Sequence, residues 1–161
     1  MLESSTKDQI DGLDQKILQE LQENGRITNA ELARRINLSP PAVHARIRRL
    51  EEAGYIRGYV ALADGEMLGY DMLCFVHILL AAHNSEQIET VRAALLGMPQ
   101  VLECHHVTGE YDYILKVVAR NRQALERFLV DQLTPVPGLT RIHTNLVLNT
   151  VKQTTCLPIL P

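Results

Sequence analysis

The sequence predicts an α+β chain. A winged helix-turn-helix over 1–60 leads through a linker at 61–70 into a ferredoxin-like βαββαβ domain at 71–155, with a short tail at 156–161. Three observations carry this expectation. Apolar residues recur at helical spacing up to residue 53, they change to strand-like runs after residue 70, and the later elements fall in the order β-α-β-β-α-β.

A first helix is expected over about 11–24, with Leu13, Ile17 and Leu21 on one face and Asn24-Gly25 as the stop. Thr28 to Glu31 has the spacing of a capping box, in which the Thr28 hydroxyl accepts from the Glu31 N–H and the Glu31 carboxylate reaches back. It opens a short helix carrying Leu32, Ala33 and Ile36. Ser39 is a good N-cap, and Pro40 suits the first helical position because the N–H it lacks would have no helical partner there. This third helix is expected to reach Ala53, with Val43, Ile47 and Leu50 buried and Gly54 suited to the left-handed residue beyond its end. Residues 55–60 read as a short β segment, the wing.

Past the linker, 70–82 is strand-like, and Asn84 with Gln87 three residues later caps a helix ending near 96–97. A strand over 101–108, a tight Gly109-Glu110 turn and a strand over 111–119 come next. Asn121 caps a helix with Leu125, Phe128, Leu129 and Leu133 on one face, stopped by Pro135, Pro137 and Gly138, and a last strand covers about 140–151. In this topology helices cover one sheet face. The first strand is apolar on both faces, with Leu73, Phe75 and Leu79 on one and Cys74, Val76, Ile78 and Leu80 on the other, so the uncovered face is expected to meet its like in a second copy.

Composition narrows the function classes. With 46% hydrophobic and 22% charged residues, the 161-residue chain suits a folded domain rather than a disordered one. A net charge of −3 excludes a basic nucleic-acid coat, but residues 1–25 carry −4, residues 26–58 carry +4 and residues 59–161 carry −3. One short segment is therefore basic enough to face a polyanion. No apolar run approaches the ~20 residues needed to span a bilayer, and the acidic, polar first residues resemble neither a secretory signal nor a transit peptide, so a cytoplasmic protein without membrane attachment is expected. Cys74, Cys104 and Cys156 lie far apart, with no CxxC, and predict neither a disulfide framework nor a zinc ribbon.

The basic segment has the layout of a DNA reader. Since Val43, Ile47 and Leu50 face the core, the other side of the third helix presents Pro41, His44, Ala45 and Arg48, flanked by Arg46 and Arg49. Arg48 could grip guanine O6 and N7, His44 could donate to a base edge or phosphate, and Ala45 is small enough to let the helix sit deep in the groove. The Ser39 hydroxyl and the helix N-terminal amides are placed for a phosphate, with Arg26, Arg34, Arg35 and Arg57 as phosphate contacts or solvated charges. An Arg-rich helix can equally be the solvated face of an ordinary three-helix bundle. Pattern, turn, cap and charge together favour DNA.

Longer stretches carry a resemblance. Leu13-Asp14 with Ile17-Leu18, Asn24-Gly25-Arg26, Leu38-Ser39-Pro40 and the run from Arg46 to Glu51 with Gly54-Tyr55-Ile56 resemble the N-terminal domain of the leucine-responsive/asparagine-responsive (Lrp/AsnC, feast/famine) regulators. Downstream, Glu103-Cys104-His105 and the run from Val107 to Leu115 resemble that family's effector domain, and Val151-Lys152-Gln153-Thr154-Thr155 also fits. The resemblance implies a transcription factor that binds double-stranded DNA, whose ferredoxin-like domain dimerises, assembles further, commonly to octamers, and often senses a free amino acid. By itself, Gly109-Glu110 reads as an ordinary hairpin turn with Asp112 a turn acid. The resemblance makes Thr108, Gly109, Glu110, Tyr111 and Asp112 an effector loop, with Asp112 taking the ammonium, the Gly109-Glu110 amides the carboxylate, and a neighbouring chain completing the pocket.

Catalysis and metal binding have little to stand on in the sequence. His105 and His106 are adjacent in a strand and point to opposite faces. His77, Cys74 and Cys104 could approach across strands but read as packed core, and His83 and His143 have no ligand spacing. No P-loop, dinucleotide fingerprint, HExxH or GxSxG occurs, and Glu51-Glu52 reads as a solvated pair, so neither an enzyme nor a cofactor is expected. The rival reading is a ferredoxin-like small-molecule-binding or metal-responsive protein whose helices are a protein-interaction module.

Overall fold

In the computed structural model, which describes residues 10–159, two separate apolar clusters organise the chain. It divides into two compact units, one of residues up to 62 together with those from 152 on, the other of 63–151.

The first unit is built on α1 (Gly12–Glu23), α2 (Asn29–Ile36) and α3 (Pro40–Glu52). Ile17, Leu32, Ala33, Ile36, Val43, Ile47 and Leu50 form its core, at the helical spacing read from the sequence. The full capping box lies at α1, where Asp11 accepts from the Leu13 and Asp14 N–H groups and Asp14 accepts from the Asp11 N–H. At α2 only half of the expected box forms. Thr28 accepts from the Glu31 N–H, but the Glu31 carboxylate turns outward to Arg34 and Arg35, because two guanidiniums compete for it. Ser39 caps α3 as expected, with Pro40 at its first position.

The wing is a correction. Residues 55–60 form no strand, since an extended segment becomes one only against a partner edge and they have none among the described residues. The Tyr55 and Ile56 amides instead donate to the Leu50 carbonyl, and Ile56 packs on the helical core. Cys156 and Leu157, at the start of the tail expected at 156–161, are held on α1. The Gln22 side chain accepts from the Leu157 N–H (2.6 Å) and donates to the Leu157 carbonyl (3.1 Å), and the Cys156 thiol lies 3.4 Å from the Gln22 carbonyl.

The second unit runs β1 (Met72–Leu80), α4 (Ser85–Leu96), β2 (Val101–His106), β3 (Tyr113–Ala119), α5 (Arg122–Arg127) with a following π-helical turn (Phe128–Leu133), and β4 (Leu139–Leu146). Its antiparallel sheet has the order β2-β3-β1-β4, the ferredoxin-like arrangement the element order predicts. Strand alternation sends Cys74, Val76, Ile78 and Leu80 into a core with Val91, Leu95, Leu125, Phe128 and Leu133, and sends Phe75 to the other face, where it is 40% exposed. The strands are shorter than expected because pairing ends them, as β4 stops where Leu146 meets Cys74. The last helix keeps its predicted apolar stripe but widens at its end, where both the Thr134 N–H and hydroxyl donate to the Leu129 carbonyl.

Candidate functional site

In the first unit the Val43, Ile47 and Leu50 stripe fixes which side of α3 looks outward. Pro41, His44, Ala45, Arg48 and Arg49 are exposed on that side, and Ser39 is exposed at its head. The Ser39 hydroxyl accepts from the Ala42 N–H at 3.4 Å, leaving its proton free for an outside acceptor.

The arginines divide into two groups. Arg46 donates through Nη1 to Asp11 Oδ2 and to Asp14 Oδ1, both at 2.8 Å, and Arg49 donates to Asp14 Oδ2. Asp14 is fully buried, so both guanidiniums clamp α3 to α1 around a carboxylate whose one further donor is the Asp11 N–H. The Asp14 N–H and Arg46 hold the Asp11 carboxyl below the usual range, and the bonds of Arg46 to the Asp11 and Asp14 carboxylates raise Arg46. Arg48, by contrast, is 72% exposed and lies 2.8 Å from Glu52 one turn away, a contact that water screens. His44 Nδ1 lies 3.4 Å from Asn29 Nδ2. Arg35 bridges Glu31 and Glu20, while Arg26 and Arg57 carry no ion pair among the described residues. The structure thus leaves Arg48 outward and turns Arg46 inward, which sequence reading had placed together. Tyr59 donates to Glu51 Oε1 at the end of α3 (3.0 Å), and burial and that carboxylate push its hydroxyl up to about 12.

In the second unit Thr108, Gly109, Glu110, Tyr111 and Asp112 fall in one loop, 107–112, rather than about a two-residue turn. The Val107 N–H donates to the Asp112 carbonyl (2.9 Å) and the Asp112 N–H to the Ile78 carbonyl (2.9 Å), so the loop ends are tied to each other and the second of them to β1. Gly109 sits at φ +126°, a conformation that side chains with a Cβ resist. Glu110 faces Arg141 at 3.7 Å, and Tyr111 packs against the His77 and His143 rings at centroid distances of 5.1 and 6.2 Å.

Asp112 is the anchor of the loop. Its Oδ2 accepts from the Leu80 N–H at 2.8 Å, and its Oδ1 lies 2.7 Å from His83 Nε2. Partial burial pushes this carboxyl up, but the Leu80 amide and His83 outweigh it and hold the group below its ordinary value. His83 is the residue sequence reading missed, set aside for lack of ligand spacing. The signal that finds it is register. Ile78 pairs with Tyr113, so residues just past the end of β1 come beside those just before β3.

The approach of cysteine and histidine that the sequence left possible does not occur between Cys74 and His77. Cys74 points into the core, as read, while His77 points to the open face, as residues an odd number of positions apart on one strand must. His106 stacks on Tyr113 and His105 lies 3.2 Å from Glu103. Among the described residues no cluster of three or more His, Cys, Asp or Glu is arranged to hold a metal, and no helix is long and apolar enough to cross a membrane.

Known proteins are similar over nearly the whole chain. Residues 10–57 match the family profile described as winged helix-turn-helix DNA-binding, and residues 73–157 match that of the Lrp/AsnC ligand binding domain. A leucine-responsive regulatory protein of Rhizobium meliloti is 40% identical over 145 residues, covering 90% of this chain and 93% of that protein. The transcriptional regulator AzlB of Bacillus subtilis is 36% identical over 150 residues, covering 93% and 96%. Among solved structures, a Neisseria meningitidis transcriptional regulator in complex with L-methionine matches with a TM-score of 0.90 at 37% identity, covering 93% of this chain and 97% of that one. Escherichia coli AsnC matches with a TM-score of 0.86 at 31% identity, covering 93% and 99%.

Proposed function

Because the chain belongs to the Lrp/AsnC family of transcriptional regulators, we propose that it reads duplex DNA with the outward side of α3 and that a free amino acid at loop 107–112 tunes this reading. The observation that carries the DNA reading is the division of the α3 arginines, with Arg48 outward beside His44 and Ala45. Arg48 exchanges its screened contact with Glu52 for the paired acceptors of a guanine, His44 donates to a neighbouring base edge or phosphate, and Ala45 admits the helix into the groove. Ser39 and the first amides of α3 bind a phosphate, with Arg26 and Arg57 available to others, while Arg49 stays engaged by Asp14. Arg46 acts through Asp14 to set the angle of the reading helix rather than by touching DNA. Pro41 contributes shape at the groove wall.

For the effector, the amides around Gly109 and Glu110 supply donors for a carboxylate, Asp112 supplies the acceptor for an ammonium, and Thr108 and Tyr111 line the approach. The L-methionine complex of the Neisseria relative and the leucine-responsive names of the others make aliphatic L-amino acids the first to test. The open face of the sheet joins two copies, placing two reading helices about one DNA turn, ~34–36 Å, or a multiple of it apart, with assembly to an octamer beyond that. The setting is the cytoplasm, where DNA and free amino acids meet.

Fluorescence anisotropy with labelled duplexes across a salt series tests the first part. Affinity should fall steeply with salt, and Arg48→Ala should lose preference for the specific site. A thermal-shift screen of the twenty amino acids tests the second, with Asp112→Ala expected to abolish the shift while leaving DNA binding in place. An unchanged shift in Asp112→Ala refutes the effector assignment.

A further inference from the structure

Resting on the effector reading of loop 107–112, we infer that His83 occupies the ammonium position on Asp112 in the free protein, and that an amino-acid effector binds by displacing it. A carboxylate only accepts, so the His83 ring nitrogen 2.7 Å from Asp112 Oδ1 is a donor, like the ammonium it stands in for. The other oxygen, Oδ2, is fixed by the Leu80 N–H at 2.8 Å, a main-chain donor at the end of β1 that cannot be withdrawn without breaking the sheet. The Asp112 side chain keeps only 14% of its surface, whereas His83 is 63% exposed on the connection between β1 and α4. An ammonium therefore reaches Oδ1 along the approach His83 now takes. The imidazole, with open solvent around it, is the partner able to leave.

This arrangement gives the site two properties that a bare aspartate lacks. The loop is held in its binding shape before the effector arrives, since Asp112 is tied through Leu80 and His83 as well as through its main chain. Effector affinity also depends on the protonation of the competitor, because an imidazolium holds a carboxylate more tightly than a neutral ring. The other charged and titratable groups around the loop are His77 on β1, His106 on β2, Tyr113 on β3, Arg141 and His143 on β4, and Glu110 and Tyr111 in the loop itself. Of these His106 acts on Asp112 through space, while Arg141 pairs with Glu110. Removal of His83 should therefore weaken the pH dependence without erasing the contribution of His106.

The test compares wild type, His83→Ala, His83→Gln and Asp112→Asn with L-methionine and L-leucine, by titration calorimetry on the full chain at several values between about pH 5.5 and 8. His83→Ala is expected to bind about two- to fivefold more tightly than wild type near neutral pH, the size of an exposed ion pair, with a flatter pH profile. His83→Gln, which can still donate to Asp112 but carries no charge, should fall between them and share the flat profile. Asp112→Asn should lose binding in every background. Weaker binding by His83→Ala, or a pH profile as steep as that of wild type, would overturn displacement and leave His83 as a brace. Binding by His83→Ala alone would support it, as a gate too tightly shut in wild type. If Asp112→Asn binds as well as wild type, the effector loop itself is misplaced, and if neither amino acid binds wild type or His83→Ala the inference falls with it.

Discussion

Two arginines two positions apart on the same helix point to different sides of it, and the difference between them follows from what each leaves behind when removed. Arg46 answers a carboxylate with no exposed surface. Replacing it by Met leaves Asp14 with Arg49 and the Asp11 N–H, so the first unit should lose about 2–3 kcal/mol, less than the full cost of an orphaned buried charge because Arg49 stays. Arg48→Ala gives up only a solvated pair and should stay within about 0.5 kcal/mol of wild type. In DNA binding the order reverses, with Arg48→Ala costing about 1–3 kcal/mol at the specific site. Thermal melts set beside anisotropy titrations separate the two, and equal stability losses would contradict the division. Asp112 gives a pH prediction at the same scale. Its folded-state carboxyl lies below its unfolded value, so it binds fewer protons when native and adds stability above ~3.9 that disappears as pH falls through the folded value. Wild type should thus lose thermal stability more steeply than Asp112→Asn between about pH 5 and 3, the two melting temperatures converging in acid, as followed by circular dichroism.

At the level of elements, what was readable from the sequence was whatever local chemistry decides. Asn84, Asn121, Thr28 and Ser39 each cap the helix expected of them, and the stripes of α2 and α3 are buried as spaced. What was not readable depended on partners distant in the chain. β4 makes its last pair at Leu146 with Cys74, two residues inside the start of β1, and residues 55–60 pair with no strand among the described residues. The connection after β2 is a six-residue loop because a main-chain bond from Val107 to Asp112 closes it, and no residue type announces that bond. His83 stayed hidden for the same reason, lying 29 positions from its partner. Within that loop Gly109 offers a clean test. Nothing lies within 4 Å of where its Cβ would stand, so Gly109→Ala meets no clash and any effect comes from φ +126° alone. The cost should be about 1–2 kcal/mol, seen as a lower melting temperature for the second unit. Amino-acid binding should weaken beyond that if the loop amides hold the carboxylate, whereas affinity unchanged in a folded variant would place the carboxylate elsewhere.

For the molecule as a whole, the charge figures acquire a structural meaning. The basic segment is answered from within its own unit, Asp11, Asp14 and Glu20 of the acidic stretch taking Arg46, Arg49 and Arg35, so the exposed cations that remain are few and directed. A reader with so few free contacts on one chain gains most from being linked to a second reader, since a tethered partner raises effective concentration. The open face of the sheet is where we place that proposed link. Phe75 stands on it 40% exposed, flanked across the strands by Lys116 and Asn145, with Leu73, Leu79, Ile114 and Val118 further along the same face and the His77, Tyr111 and His143 rings packed together on it. Burying such a patch against its like removes apolar surface at ~25 cal/mol per Å², whereas a carboxylate at position 75 would be desolvated beside a Lys116 that Glu103 already engages. Phe75→Glu should therefore give a particle of one 18.1 kDa chain by light scattering at micromolar concentration, where wild type should give at least twice that mass. Its circular dichroism should be unchanged because the core face of β1 is untouched. Affinity for a two-half-site duplex should fall toward that for a single half-site, and a wild-type particle of one chain would remove both the interface and the linked-reader argument built on it.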